Sequence, residues 1–182
     1  MNAAAKLLDG GGPASVTLRE VGRLAGVSHN APYKHFADKQ ELLAAVAARE
    51  LSRTRSSDRA ETAPPDAVEV LRRMMHGYVR WALRYPARFK LTFGRWTTGS
   101  VELADAATRA RSDLVRAVSA AQASGALGSG DPERLAALIQ ATTHGAVDLA
   151  LGGHLSRSHK GHADPTDLVD DLLAAISRPR RA

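Results

Sequence analysis

Residues 17–39 read TLREVGRLAGVSHNAPYKHFADK and determine the fold expected for the N-terminal part of the chain. Thr17 followed by Glu20 has the spacing of a capping box, which predicts the start of a helix. Apolar residues then recur at helical spacing, and Gly26 is a residue type that commonly ends a helix. Ser28 is expected to start a second short helix. Two short helices joined by a tight turn predict a helix-turn-helix.

The second helix, expected over residues 28–36, carries side chains that suit a groove of DNA. Its outward positions are short or planar hydrogen-bonding residues and one cation: Ser28, His29, Asn30, Tyr33, Lys34 and His35. An acid would repel phosphate, and none occurs between Glu20 and Asp38. Because the major groove accepts one helix, the pattern predicts a helix that reads base edges. A helical hairpin without a nucleic-acid role is the alternative.

A further helix start follows at once. Asp38 and Glu41 repeat the capping-box spacing and predict a helix over about residues 38–57. Lys39 places a cation beside the free amides of this helix start, which favours a phosphate contact.

This segment resembles the head of the TetR family of bacterial transcriptional regulators. The residues that match the family pattern are Thr17, Arg19, Val21, Ala25, Gly26, Val27, Ser28, Tyr33, His35, Phe36, Asp38, Lys39 and Leu42. Gly22 departs from the pattern, because it stands where the family usually has alanine. This glycine is expected to weaken the first of the two helices by roughly 0.5–1 kcal/mol.

The resemblance implies which side chains contact DNA. It implies phosphate contacts for Tyr33, His35 and Lys39, and base-facing positions for Arg19, His29, Asn30 and Ala31. Thr17 would contact the DNA backbone. The full set expected to contact DNA is Thr17, Arg19, Ser28, His29, Asn30, Ala31, Tyr33, Lys34, His35 and Lys39.

The rest of the chain also has helical periodicity, and we expect an all-α protein of about nine helices. Polar residues 56–65 predict a connector between a helix-turn-helix head, residues 1–60, and a helical body, residues 61–182. A first helix over residues 2–9 is expected to end at Gly10-Gly11-Gly12-Pro13. Further helices are expected over residues 66–85, 87–96, 101–124, 131–151 and 165–176, followed by the basic tail 178–181.

The body resembles a C-terminal domain subgroup of the same family over residues 86–94 and 143–155. That subgroup is marked by Trp-His-Gly, and this chain has Thr143-His144-Gly145 instead. The resemblance implies a homodimer, in which the last two long helices pair with those of a second subunit and place two heads on successive major grooves of a double-stranded operator. The interface residues expected are Leu135, Leu138, Ile139, Thr142, Leu168 and Leu172.

The resemblance also implies that the body encloses a small molecule whose binding releases the DNA. The side chains expected to line this pocket are Met74, Met75, Tyr78, Trp81, Phe89, Phe93, Trp96, His144 and Asp148. Both tryptophans lie between residues 78 and 96, which favours an apolar or aromatic ligand. Ordinary core packing is the alternative for each of these aromatic residues.

Composition excludes several classes of protein. The chain has no cysteine, so it forms neither disulfides nor zinc–thiolate sites. No run of 18 apolar residues occurs, so no membrane span is expected. The net charge of +6 and the pI of about 10.2 favour a polyanionic partner. A cytoplasmic protein without a cofactor is expected.

Two further functions remain as alternatives. One is a DNA-binding regulator whose body has no ligand. The other, less favoured, is a small helical enzyme that uses His144 and Asp148, which are spaced i, i+4, with His76 as a further candidate. No recognised catalytic motif accompanies these residues, so no catalytic residue is expected. His154, His159 and His162 lack a supporting cysteine or nearby glutamate, so no metal site is expected either.

Overall fold

The computed structural model describes residues 1–28, 30–53, 66–97 and 99–177, and these residues form an all-α fold as predicted. The described residues contain eight α-helices and one short 3₁₀ helix, Pro32–Lys34. The α-helices are α1 (Asn2–Ser15), α2 (Leu18–Ala25), α3 (Lys39–Arg53), α4 (Ala67–Arg84), α5 (Pro86–Thr92), α6 (Val101–Ala123), α7 (Pro132–Leu151) and α8 (Pro165–Ile176). The expected connector, the His29 position and the basic tail lie outside the described residues.

The packing of the backbone divides the chain into two compact units. The first unit comprises Met1–Arg53 and Arg84–Arg109, so it contains α1, α2, the 3₁₀ helix, α3, α5 and the start of α6. The described part of the second unit comprises residues 66–83 and 110–177. The sequence suggested a head of residues 1–60, and residues 84–109 pack in that same unit.

One apolar cluster holds the first unit together. Leu8 of α1, Val21 of α2, and Leu42 and Val46 of α3 are buried in it, and Leu91 of α5 packs against it. Burial of an aliphatic side chain stabilises a fold by about 1.5–3 kcal/mol, so this cluster fixes α2 on α1 and α3.

Helix α1 contains the predicted break. Gly11 and Gly12 leave the helical conformation, and Gly12 has a φ of 66° that favours glycine. The Ser15 hydroxyl donates to the carbonyl oxygens of Leu7 at 2.6 Å and Gly12 at 2.8 Å. The helix that was expected to end at Asp9 therefore continues to Gly10. After the break at Gly11 and Gly12, one short helical turn follows at residues 13–15.

The two capping boxes form differently from the prediction. The Thr17 hydroxyl accepts from the Glu20 amide at 3.1 Å, but the Glu20 carboxylate pairs with Nε of Arg23 at 2.9 Å. Asp38 accepts from the Glu41 amide at 2.8 Å, and Glu41 accepts from the Ala37 amide at 2.6 Å. Both helices start where predicted, because the first half of each box is made.

The prediction of one continuous helix over residues 28–36 is wrong. Residues 30–35 form successive tight turns, with the 3₁₀ helix Pro32–Lys34 among them. The Ala31 amide donates to Ser28, Lys34 to Ala31, and His35 to Pro32, each bond spanning three residues. Pro32 has no N–H to donate to the Ser28 carbonyl, so the bond an α-helix would need there cannot form.

The second unit has its own apolar core. Side chains no more than 2% exposed come from each of its four helices: Leu71, Val79, Val118, Ile139, Val147 and Leu173. Asp131 caps α7 by accepting from the Glu133 amide at 2.9 Å, and Asp164 caps α8 in a complete capping box. Both helices have the predicted bounds, whereas α5 ends at Thr92, before the predicted end at Trp96.

Candidate functional sites: a helix-turn-helix surface and a polar cluster

The residues expected to contact DNA lie mostly on the surface of the first unit. Exposed members of the set are Thr17, Arg19, Ser28, Asn30, Tyr33, Lys34 and His35, whereas Ala31 and Lys39 are half-buried. Tyr33 is 55% exposed although its ring is large. These side chains are presented by the N-terminus of α2, the turns after it and the start of α3. His29 lies outside the described residues.

The turn between α2 and the 3₁₀ helix is closely packed. Gly26 ends α2 with a φ of 69°, and its amide donates to the Arg23 carbonyl at 3.3 Å. The Val27 amide donates to the Gly22 carbonyl at 3.1 Å. Gly22 and Pro32 are both buried. A tight turn therefore joins α2 to the 3₁₀ helix.

The two acids at the edges of this surface, Glu20 and Asp38, both have partners within the protein. Glu20 pairs with Arg23, and Asp38 accepts from the Glu41 amide in the first turn of α3. The polar surface formed by residues 28, 30 and 33–35 therefore presents donors and neutral acceptors without a carboxylate, which suits an anionic partner.

In the second unit, three side chains form a polar cluster between α4 and α7. The Tyr78 hydroxyl lies 2.8 Å from Nδ1 of His144, and Gln140 also hydrogen-bonds the phenol. Burial raises the pKa of Tyr78 well above its ordinary value, so the phenol stays protonated. The ring of Trp81 packs against that of Tyr78, with centroids 6.0 Å apart.

The protonation of His144 is set by its surroundings. Burial lowers the pKa of His144, and the negative charge of Asp148 opposes this shift in part. Nδ1 of the unprotonated ring shares a hydrogen bond with the Tyr78 hydroxyl, so a neutral hydrogen-bonded pair results. His76, the other histidine considered for catalysis, lies 3.0 Å from Asp170 instead. Among the described residues, no group of three His, Asp or Glu side chains is placed to hold a metal ion.

The expected pocket residues fall into both units. Met75 and Tyr78 are buried and Met74 and Trp81 half-buried in the second unit, where His144 is half-buried and Asp148 exposed.

The remaining three expected pocket residues belong to the first unit. Phe89 is 2% exposed, and its ring packs on that of Phe93 at 5.6 Å between centroids. Trp96 packs against the apolar clusters around α3. Trp96 therefore contributes to the core of the first unit, and Phe89 is a buried residue of α5.

The residues expected at the dimer interface differ in exposure. Leu138 is 48% exposed, whereas Ile139 is fully buried. Leu135, Thr142, Leu168 and Leu172 are half-buried. Leu149, which was not among the expected set, is as exposed as Leu138 and lies further along α7.

Two family models match this chain. Residues 1–46 match bacterial regulatory proteins of the tetR family, and residues 71–176 match a tetracyclin repressor-like C-terminal domain. The second match covers more than half of the chain. The chain belongs to the TetR family. This TetR protein is therefore a DNA-binding transcriptional regulator, and the matched N-terminal residues contain the helix-turn-helix described above.

Solved structures share the fold of this TetR protein. A protein of unknown function from Rhodococcus sp. RHA1 is 31% identical, with 96% of this chain and 92% of that chain covered and a TM-score of 0.78. A protein from Saccharomonospora viridis in complex with choline is 19% identical, with coverages of 98% and 95% and a TM-score of 0.75. AibR, in complex with isovaleryl coenzyme A and operator DNA, is 17% identical, with coverages of 97% and 95% and a TM-score of 0.63. No curated protein matches the chain.

Sequence reasoning missed two features of this TetR regulator. Gln140 stands four residues before His144 on α7, and this spacing was the available signal for its place in the polar cluster. Arg88 had no such signal, because its partners lie 79 and 38 residues away along the chain.

No helix among the described residues is long and apolar enough to cross a membrane.

Proposed function

We propose that this TetR regulator is a repressor that binds a palindromic operator as a homodimer and leaves it when a small molecule binds. The observation that carries the proposal is the exposed, carboxylate-free surface formed by residues 28, 30 and 33–35 on a tightly packed helix-turn-helix. Such a surface places amide, phenol, imidazole and ammonium groups where phosphates and base edges would meet them. DNA is cytoplasmic in bacteria, so we place the protein there.

Homodimer formation is supported by an apolar face of the second unit. Leu138 and Leu149 of α7 are each 48% exposed, and Ala137 and Ala141 on the same helix are also exposed. Exposed apolar side chains grouped on one helix favour association, and small residues allow helices to approach closely. A two-fold dimer would place its two heads about 34–36 Å apart, as the proposed palindromic operator requires.

A ligand response is supported by the polar cluster of the second unit. Tyr78, Gln140 and His144 form hydrogen bonds beside the ring of Trp81. We infer an apolar or aromatic ligand that carries one hydrogen-bonding group. Choline and isovaleryl coenzyme A, which are bound in two proteins of the same fold, are the first compounds to test.

Release of DNA follows from linkage. A ligand changes the DNA-binding equilibrium only by the difference between its affinities for the two conformations. We propose that the contacts of the ligand to the Tyr78–His144 pair differ between those two conformations.

The test has two stages. The protein first selects bound sequences from a random duplex library, and the enriched duplex is then labelled for anisotropy. Compounds are next added to the complex, and release by a compound supports the repressor proposal. Tyr78→Phe removes the hydroxyl and keeps the ring, so we expect it to bind the duplex normally and to need more compound for release. A selected duplex that no compound releases would favour a regulator without a ligand.

A further inference from the structure

Arg88 of α5 forms ion pairs with two acids that belong to two other helices of the first unit. Its side chain is 9% exposed. Nε donates to Oδ1 of Asp9 at 2.9 Å and Nη2 to Oδ2 at 2.5 Å, which forms a two-point fork. Nη1 donates to both carboxylate oxygens of Glu50, at 3.3 and 3.4 Å. One guanidinium thus joins three helices, α5, α1 and α3.

The surroundings of Arg88 hold the guanidinium in one orientation. Its Cζ lies 4.1 Å from the ring centroid of Tyr85, which is within the range of a cation–π contact. Glu50 is 1% exposed, and Arg49 and Arg53 approach the same carboxylate at 3.4 and 3.9 Å. The buried charges therefore compensate each other.

Buried ion pairs contribute little net stability, because desolvation of both charges offsets their attraction. The planar fork of arginine is directional, however, and it accepts few arrangements of its two carboxylate partners. The contacts of Arg88 therefore fix where α1 and α3 lie relative to each other. These two helices bury Leu8, Leu42 and Val46 against α2, so their placement also sets the placement of the helix-turn-helix.

We propose that Arg88 is a positioning residue for DNA binding, although it lies 42 residues beyond the matched tetR segment that ends at residue 46. Through Asp9 and Glu50 it makes α5 a structural part of the DNA-binding unit. The proposal rests on DNA binding by the helix-turn-helix.

The experiment compares DNA affinity with stability in the full chain. Arg88→Met removes the charge and leaves Glu50 buried, so it is expected to lower the melting temperature. The double variant Arg88→Met with Glu50→Gln also neutralises the buried carboxylate that has lost its Arg88 partner, and it is expected to regain stability. Asp9→Asn removes the charge of the more exposed of the two acids that pair with Arg88, and so weakens that ion pair. Arg84→Met is the matched control, because Arg84 is exposed and lies 5.9 Å from the same Tyr85 ring.

Anisotropy on the duplex selected by the wild-type protein provides the readout, at a temperature where circular dichroism shows each variant to be folded. We expect the double variant to lose at least about tenfold in affinity with a shallower salt dependence, since misplaced helices neutralise fewer phosphates. Asp9→Asn should lose less, and Arg84→Met should bind as the wild type.

The results distinguish the possible failures. A double variant that regains both stability and wild-type affinity would overturn the proposal, since Arg88 would then act on stability alone. If the double variant does not fold, Asp9→Asn decides, and unchanged affinity in that variant overturns the proposal. A wild-type protein that binds no duplex would instead contradict DNA binding itself.

Discussion

Gly22 of α2 and Pro32 of the 3₁₀ helix pack directly against each other at the corner of the helix-turn-helix. A methyl group on Gly22 would lie 3.3 Å from Cγ of Pro32 and 3.4 Å from the carbonyl oxygen of Ser28. This distance is shorter than ordinary van der Waals contact between carbon atoms. The glycine that departs from the family pattern therefore allows the turn to approach α2 closely.

Gly22→Ala tests this relationship. The alanine should stabilise α2 by about 0.5–1 kcal/mol through helix propensity, and the crowding of Pro32 should offset that gain. We therefore expect a small change in the free energy of unfolding and a clear loss of DNA affinity, because the 3₁₀ helix is displaced. Chemical denaturation and anisotropy measure the two quantities. Unchanged DNA affinity in a stabilised variant would show that the turn does not need the close approach.

Tyr33→Ala and Lys39→Ala test the phosphate contacts. Both variants should bind specific and random duplexes more weakly by similar factors, because phosphates carry no sequence information. Loss of Lys39 should also reduce the slope of log affinity against log salt by about one unit. Lys90→Ala is the control, since Lys90 is an exposed lysine on α5. An equal loss in the Lys90 variant would mean that overall charge, and not position, determines affinity.

His29→Ala and Asn30→Ala test base reading. Each variant should relax the preference at one operator position by roughly 1–3 kcal/mol, whereas binding to random DNA should change little. Repeated selection from the random library measures the preference at each position. Equal losses on selected and random duplexes would assign these residues to the DNA backbone.

Local signals in the sequence were sufficient for most of the fold. Capping residues such as Asp131 and Asp164 predicted the starts of α7 and α8, because a cap depends on neighbours within a few residues. The same local reasoning failed at residues 28–36, where the missing amide of Pro32 outweighs helical periodicity. The residues expected to contact DNA could be grouped from the sequence because they lie on one continuous segment.

Contacts distant along the chain could not be predicted. Tyr78 and His144 are 66 residues apart, and Arg88 and Asp9 are 79 apart. No periodicity within a helix encodes such a pair, because it depends on how separate helices pack. For the same reason, the sequence could not show that Trp96, which was grouped with Tyr78 as a pocket residue, packs against the apolar clusters around α3.

The stability of the protein should depend on pH through His144. Burial lowers the pKa of His144 in the folded chain from an ordinary value of 6.5, so the unfolded chain binds more protons just below that pH. The free energy of unfolding should therefore fall as the pH drops through 6.5, and the fall should end below the folded pKa. Denaturation curves between pH 7.5 and about 5 measure this.

Two variants should change this pH dependence in opposite directions. His144→Gln should reduce the fall, because the titrating group is removed. Asp148→Asn should increase it, because the carboxylate opposes the pKa shift of His144. Identical pH dependences in the wild type and His144→Gln would show that His144 does not contribute.

Leu138→Glu tests the apolar face of α7. A buried unpaired charge would disfavour association, so we expect monomers in sedimentation and weaker binding to a two-half-site duplex. Val101→Glu is the control, because Val101 is 75% exposed and lies on α6. A Leu138→Glu protein that remains dimeric and binds its operator normally would show that the subunits associate elsewhere.

The most direct test of the account is the set of duplexes that the purified wild-type protein selects from random DNA. A dimer carrying two helix-turn-helix heads should enrich an inverted repeat whose half-sites have centres about 10 bp apart, or a multiple of one helical turn. An enriched sequence with a single half-site would contradict the proposed dimer. Failure to retain any duplex in low salt would contradict DNA binding by the surface of residues 28–35.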